Sequence, residues 1–457
     1  MRKNIKSKTF IHRAKVIVFL CCTASIVMVY HLMCTYGVVE GTAPDAEKFR
    51  ELMVKQNKYE ETFEGVFIDK NGDPITVCDE PGKPAQICDM SYGRLIGLNS
   101  PMRGASGGLT EKYFEVLYDA DPSSKHGKSI QLTTDNSLQK FCYSLLQEDS
   151  APCEGSIVVI EVKTGKVLAM TSRADGEIEF DPNIADKEIE EKDCTYYDAW
   201  IKHEGFLFDR SLMEDDPIGS TGKIITSACL YENDLGAYEY EDTTGEVEEI
   251  HNWDFKIWGR QGLEDAFVGS SNTYFAAAGL KLGFPLLVKT TKKFGIGQKL
   301  ETDFGDLEGI IDTKNYSSKD LATISYGQGI YMSPVQLCTI TQGIINDGKM
   351  FRPSLIAAID NKNTDHAGEV ISGEISNQTA KKVKKLMRAA AQSYGATDPS
   401  YMAKTGTADT YRGTNHIWIA GGDEKFAVVV SHNNSSASSS SLMNDMNAIL
   451  AYCQSNM

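Results

Sequence analysis

The sequence predicts an α+β protein with a single N-terminal transmembrane helix, a small pedestal domain and a larger domain whose central antiparallel sheet is covered by helices. Three observations lead there. An uncharged apolar run follows a basic tail at the N-terminus. Two strand patterns early in the larger region and three late in it flank a helical middle, which implies one sheet closed by both ends of that region. Three short signatures, Ser220-Thr221-Gly222-Lys223, Ser270-Ser271-Asn272 and Lys404-Thr405-Gly406-Thr407, stand in one order 50 and 134 residues apart.

Residues 1–15 carry Arg2, Lys3, Lys6, Lys8, Arg13 and Lys15 and no acid, and read as a cytoplasmic basic tail. Residues 16–39, VIVFLCCTASIVMVYHLMCTYGVV, carry no charged side chain apart from His31. About 20 apolar residues span a bilayer, so this run is long enough for a transmembrane anchor, and its basic flank sets the N-terminus in the cytoplasm. It exceeds the usual apolar core of a signal peptide and no clear A-x-A site follows, which favours retention over cleavage. The expected placement is single-pass in the cell membrane, with the rest of the chain extracytoplasmic.

Residues 45–149 read as stalk and pedestal. Asp45 to about Tyr59 is helical in pattern. Gly65 to Ile75 alternates apolar residues about Asn71-Gly72, a hairpin signal. A helix is expected at Thr110 to Tyr118 with Thr110 as its cap, and another at Asn136 to Gln147 with Asp135 as its N-cap. Residues 150–457 form the larger domain. Ser156 to Val162 and Val167 to Thr171 flank the turn Lys163-Thr164-Gly165-Lys166, and their apolar character on both faces suggests a central position in the sheet. Met402 to Thr407, Ile417 to Ala420 and Phe426 to Ser431 read as later strands. The Ser-rich loop Ser435 to Ser441 then leads into a final helix, Leu442 to Tyr452.

The formal net charge is −17. Setting aside the six basic residues of the tail leaves 40 Lys and Arg against 63 Asp and Glu, a surface that argues against nucleic acid and anionic lipid as ligands. Acid clusters at Glu188 to Asp193 and Glu239 to Glu249 read as solvated loop faces. No Cys/His grouping has zinc-ligand spacing, so neither metal nor cofactor is expected. Eight cysteines lie beyond the anchor. Cys78/Cys88 and Cys142/Cys153 are close enough in sequence to close small loops, while eight free thiols is the alternative. Cys229, amid Ile224, Ile225 and Ala228, reads as inert core.

Each signature alone is weak, because the chain repeats all three. Ser137-Leu138-Gln139-Lys140, Lys163-Thr164-Gly165 and Ser431-His432-Asn433 match them by composition. Order and separation remove these copies: Lys163 comes too early, Ser431 too late, and Ser137 precedes the first strand of the larger domain. In the surviving set, Ser220 falls at the start of a helix, where free N–H groups favour negative charge, and Lys223 lies one turn away on the same face. A serine hydroxyl needs a base, and a lysine serves only if its amine is neutral; burial and a neighbouring cation, here Lys404, both push in that direction. Ser220 is therefore the expected nucleophile and Lys223 its base. Ser270 can relay a proton to the leaving group, and the Asn272 amide can bond a substrate peptide. Lys404 and Thr405 suit a carboxylate, Gly406 permits close backbone approach, and the N–H groups of Thr407 and Ser220 can form an oxyanion hole.

With these residues the chain resembles the class B penicillin-binding proteins, and the resemblance covers nearly everything beyond the anchor. Gly65 to Gly72 and Ser106 to Phe114 are similar to that family's pedestal boxes, which makes residues 45–149 a dimerisation-like pedestal. Leu132-Thr133-Thr134-Asp135, Phe180-Asp181-Pro182-Asn183 and Ser325 to Pro334 are similar to landmarks around its penicillin-binding/β-lactamase-like transpeptidase domain. The resemblance implies a peptidoglycan D,D-transpeptidase that is acylated at Ser220 by stem peptides, captures β-lactams covalently and works beside a polytopic membrane glycan polymerase. Four positions depart from the pattern: Ile218 separates Pro217 from Gly219, Gly222 stands where a bulky residue is common, Glu64 replaces an arginine, and Thr110 a glutamate. A D,D-carboxypeptidase or class D-like β-lactamase shares the signatures but uses water as acceptor; the pedestal and anchor favour the transpeptidase. A non-catalytic β-lactam sensor or scaffold of a wall-synthesis complex is the alternative of another class, and a sensor needs an output module that the fifteen-residue tail does not offer.

Overall fold

The computed structural model describes residues 59–100, 104–148, 154–174, 181–185, 187, 195–196, 209–213, 217–311, 317–371, 375–409 and 415–457. The basic tail, the anchor and the stalk before Tyr59 lie outside the described residues, as do the Glu188 to Asp193 cluster, Cys153 and Cys194. Among the described residues no helix is long and apolar enough to cross a membrane. Two compact units are distinguished. The first comprises residues 1–63 and 80–82, in which the Gly82 N–H donates to the Thr62 carbonyl at 2.9 Å. The second comprises residues 64–79 and 83–457.

The second unit is built on a five-stranded antiparallel sheet in the order Met402–Asp409, Asn415–Gly422, Phe426–Ser435, Glu154–Glu161, Val167–Arg173. The late strands meet the early hairpin where Phe426 to Asn433 pair with Glu161 to Glu154, so both ends of the domain share one sheet. Successive side chains of a strand point to opposite faces. Ile157, Val159, Ile417, Ile419, Val428 and Val430 face the helices Asn136–Glu148 and Leu442–Asn456, where Leu138, Cys142, Met446, Ile449 and Cys453 join them in one core. On the other face lies the helix Pro334–Ile345, whose Cys338 thiol reaches the Val158 and Ala427 carbonyls at 3.7 and 3.5 Å. Burial on both faces is why these strands read as almost continuously apolar.

The strand Val167–Arg173 is an edge, not central as its apolarity suggested. Its exposed backbone is covered by Gln139, which accepts from the Met170 N–H at 2.8 Å and donates to the Met170 carbonyl at 2.7 Å and the Ser91 carbonyl at 2.8 Å. The repeated S-x-x-K at 137–140 is thus a structural helix: Leu138 is core, Gln139 shields an edge, and Lys140 pairs with Asp89 at 3.5 Å. The repeated K-T-G is turn chemistry, with Gly165 at φ +76°. In the third copy the Ser431 hydroxyl bonds that of Ser156 across the sheet at 3.0 Å.

A second sheet draws on both sides of residue 150. Phe67–Ile68 runs parallel to Ile130–Leu132, which pairs antiparallel with Ile356–Ile359, and Lys362–Asn363 completes the order. The turn after Ile68 forms as expected: Asp69 N–H donates to Asp73 and Ile75 N–H to Phe67, both at 2.9 Å, with Gly72 at φ +89°. In the Leu132 to Asp135 segment, Thr133 donates its N–H to the Leu355 carbonyl at 2.8 Å and its hydroxyl to Val167 at 2.7 Å. Asp135 then caps the following helix through the Ser137 and Leu138 N–H groups. Asn183 clasps both backbone groups of Ile87, at 2.9 and 3.0 Å. The expected 110–118 helix is two short pieces, Gly108–Lys112 and Phe114–Leu117, and its cap is not Thr110, which is buried within the first turn. Instead the Gly107 N–H donates to the Glu111 carboxylate at 2.6 Å. Glu64 is also buried, accepting from the Ala85 N–H at 2.7 Å.

Neither suggested disulfide forms: Cys88 and Cys142 are free thiols. Thr76 pairs with Ile87 and Val77 with Gln86, a register that sets Cys88 beside Ile75 and carries Cys78 toward Ala85. About three rungs of strand then separate the two cysteines, farther than a disulfide reaches. Cys142 is instead core, beside Cys453.

Gln139→Ala should cost about 3 kcal/mol in chemical denaturation, because it leaves the buried Met170 N–H and carbonyl without their partner, while the Ser91 carbonyl keeps the Thr171 hydroxyl. A cost under about 0.5 kcal/mol would show that the edge strand needs no such cover.

Candidate active site

Pro217 and Ile218 run beside the segment Ile330–Tyr331: Pro217 bridges to Tyr331, and the Ile218 N–H donates to the Ile330 carbonyl at 3.1 Å. This pairing fixes the approach to Ser220 despite the displaced proline. Ser220 then sits in a 3₁₀ turn, Gly219–Gly222, which passes directly into the helix Lys223–Glu232. The turn is hemmed in by backbone. A Cβ on Gly222 would lie 2.7 Å from the Gly327 Cα, and one on Gly327, at φ +105°, would lie 1.7 Å from the Gly219 carbonyl oxygen. Gly222, where a bulky residue is common in the family, is therefore one side of a glycine contact that a larger side chain would force apart.

The strand Met402–Asp409 closes the other side. Gly219, at φ +53°, abuts the Thr407 carbonyl, where a Cβ would come within 2.4 Å. The same crowding holds for Gly406 against the Ile218 carbonyl, at 2.7 Å, and the Thr221 nitrogen, at 3.0 Å. Its missing side chain thus admits the chain's own Gly219–Gly222 turn.

The structure brings Ser220, Lys223, Ser270, Asn272 and Lys404 into one hydrogen-bonded cluster. The Lys223 amine lies 3.0 Å from the Ser220 hydroxyl, 2.8 Å from the Ser270 carbonyl, 2.8 Å from the Asn272 Oδ1 and 3.1 Å from the Ser270 hydroxyl. The carbonyl and the amide oxygen can only accept. They take two N–H groups of Lys223, and its remaining position faces the two hydroxyls. Asn272 is oriented for this by its Nδ2, which donates to the His251 carbonyl at 3.0 Å. Lys404 donates to the Ser270 hydroxyl at 3.1 Å, the Tyr394 hydroxyl at 3.0 Å and the Thr405 carbonyl at 3.0 Å, so every proton of its ammonium has an oxygen.

Lys223 and Lys404 are both 0% exposed. Burial first, and the Lys404 charge second, hold the Lys223 amine well below the ordinary lysine range. The rings of Phe275 and Tyr326, 5.5 and 6.0 Å from the Lys223 amine, supply the apolar wall. Thr405 is buried, whereas Thr407 is exposed and donates to the Ser439 hydroxyl at 3.1 Å. Cys229, on the helix behind Ser220, is buried core as expected, its thiol pushed up to about 12 by burial.

Sequence reasoning missed Tyr394, the phenol that meets Lys404, because it lies at the end of a helix ten residues before the K-T-G signature. It also missed Asp242, which was grouped with solvated acids but is 1% exposed and hydrogen-bonded inward. Its partners in space, Thr273, Asn252 and the Gly245 N–H, separate it from its exposed neighbours, and spacing along the chain carries no sign of them.

Residues 155–451 match the penicillin binding protein transpeptidase domain. The chain belongs to this family. It is 27% identical over 316 residues to the peptidoglycan D,D-transpeptidase PbpA of Mycobacterium tuberculosis, covering 62% of this chain and 61% of that protein. It is 28% identical over 331 residues to penicillin-binding protein 3 of Bacillus subtilis, covering 66% of this chain and 47% of that one. The chain thus spans less than two thirds of the length of these relatives. Among solved structures, penicillin-binding protein A of M. tuberculosis as its penicillin G acyl-enzyme complex superposes with a TM-score of 0.74 at 22% identity, over 86% of this chain and 100% of that one. That similarity bears out the α+β transpeptidase fold, and the named relatives bear out the class B resemblance.

Lys404→Met should move the acidic limb of β-lactam acylation to higher pH, because loss of the neighbouring cation lets the Lys223 pKa rise toward its ordinary value. The acylation rate measured from pH 5 to 10 checks this. An unmoved limb would show that Lys404 does not tune Lys223.

Proposed function

We propose that this chain is a serine D-Ala-D-Ala transpeptidase that cross-links peptidoglycan stem peptides and is acylated by β-lactams. The observation that carries the reading is the wholly buried Lys223 amine, 3.0 Å from the Ser220 hydroxyl, with two neighbours that can only accept. Two N–H groups spent on those acceptors leave a lone pair directed at the hydroxyls, which is the state a general base needs.

In acylation the Ser220 oxygen attacks the carbonyl carbon of the penultimate D-alanine while its proton passes to Lys223. The N–H groups of Ser220 and Thr407, whose backbones abut across the Gly219 contact, steady the oxyanion. The C–N bond then breaks, and the leaving D-alanine nitrogen takes the proton from Lys223 through the Ser270 hydroxyl, which lies 3.1 Å from both lysine amines. An amine from a neighbouring stem peptide attacks the Ser220 ester and gives up its proton to Lys223, which returns it to the departing Ser220 oxygen as the ester C–O bond breaks and the new amide forms. A β-lactam follows the first half, but its cleaved amide remains tethered. Because Lys404 is fully occupied by protein oxygens, it contributes its field, and direct contacts to a substrate carboxylate fall to the Thr405 and Thr407 hydroxyls. These stand two residues apart and so share one face of the strand.

The apolar run 16–39 and its basic flank support a single-pass anchor that holds residues 45–149 as pedestal and 150–457 as transpeptidase domain on the extracytoplasmic side of the cell membrane. The reaction joins glycan strands that must first be polymerised, which supports a polytopic membrane glycan polymerase as partner.

Ser220→Ala should abolish covalent labelling by fluorescent penicillin while the thermal midpoint stays within a few degrees of the parent. In the parent protein the label should persist for many minutes. Retained labelling in the mutant would remove Ser220 from the mechanism, and release within seconds would point to water as the acceptor.

A further inference from the structure

The S-x-N turn is held from outside its own segment. Ser270 sits at φ +55°, a left-handed conformation unfavourable for a side-chain-bearing residue, and Ser271 caps the helix Asn272–Leu282 through the Tyr274 N–H at 3.2 Å. Twenty residues earlier, Asn252 is 2% exposed and reaches under the same turn. Its Oδ1 accepts from the Asn272 N–H at 2.8 Å and the Thr273 N–H at 3.3 Å. Its Nδ2 donates to the Lys256 carbonyl at 2.8 Å and the Thr273 hydroxyl at 3.1 Å. Asp242 backs this arrangement, accepting from the Thr273 hydroxyl at 2.9 Å and the Gly245 N–H at 2.7 Å. The residue before Asn252 completes it, since the His251 carbonyl takes the Asn272 side-chain amide. One dipeptide, His251-Asn252, therefore holds Asn272 by both its backbone and its side chain.

From this geometry we propose that Asn252, backed by Asp242, is a positioning residue for acyl transfer, keeping the Asn272 amide oxygen and the Ser270 carbonyl turned onto Lys223. The inference rests on the acyl-transfer reading above. Asn252 acts through Asn272; without its bonds the turn relaxes, the two acceptors drift from the amine, and water reaches a lysine that the fold otherwise keeps dry. Displacement of about 1 Å at such a site can cost about 100-fold in rate.

The test is acylation of the full-length protein in detergent by a chromogenic cephalosporin under single-turnover conditions. Asn252→Ala is expected to lower the acylation rate constant about 100-fold, with little change in the concentration dependence that reports encounter, and to move the acidic limb to higher pH as Lys223 becomes hydrated. Thr273→Val, which removes only the hydroxyl between Asp242 and Asn252, should shift the limb in the same direction with a smaller loss, about 10-fold. A purely structural role would lower the folded fraction and leave the limb of the remaining molecules in place. A folded Asn252→Ala protein with the parent limb overturns the proposal, and if that variant does not fold, an unmoved limb in Thr273→Val overturns it. Absence of a Ser220 adduct in the parent protein would instead sink the enzymatic reading, and this inference with it.

Discussion

Two lysines without solvent contact, sharing one serine hydroxyl, are the constraint around which the site is arranged. An isolated buried ammonium costs several kcal/mol, and two of them repel. The fold resolves this by giving them unlike surroundings. Lys404 has three oxygens for three protons. Lys223 has two obligatory acceptors and an apolar wall, and its amine is pushed well below the ordinary range. Two similar groups whose environments drive them apart are how a protein assigns acid and base roles at neutral pH.

The rigid surroundings serve that contrast. Lys223 can stay dry only if nothing behind the Gly219–Gly222 turn yields, and there Gly219, Gly222, Gly327 and Gly406 admit close backbone approaches that no side chain would allow. The sheet supplies the fixed frame. Its strand Met402–Asp409 carries Lys404 and Thr407 on one side of the turn, while the helix Asn272–Leu282 presents Asn272 on the other. Segments distant in sequence, 217–223, 270–272, 327–331 and 404–407, thereby meet within a few ångströms.

Much of this was legible before any coordinates. The apolar runs on either side of Lys163 to Lys166 marked a hairpin, and the order of the three signatures singled out Ser220 over Ser137, because chemistry needs all three while a helix or a turn needs one. What the sequence hid was spatial. Val167 to Thr171 reads like a central strand because burial by a helix and burial by neighbouring strands leave the same apolar pattern. Gly222 reads only as a departure from the family pattern until Gly327 is set against it. Asn252 and Asp242 lie in a polar, acidic stretch where a buried amide or carboxylate has no periodicity to announce it. The Cys78–Cys88 disulfide that the spacing permits does not form for a related reason: proximity along the chain says nothing about strand register.

The central claim is that burial and the neighbouring Lys404 hold the Lys223 amine well below the ordinary lysine range. The most direct measurement is an NMR titration of the protein carrying ¹³C-labelled lysine, with the Lys223 ε-carbon assigned by its absence in Lys223→Ala. The account predicts a midpoint well below 10.5 that moves upward in Lys404→Met. A midpoint at or above 10.5 would leave Ser220 facing a permanent cation and contradict it.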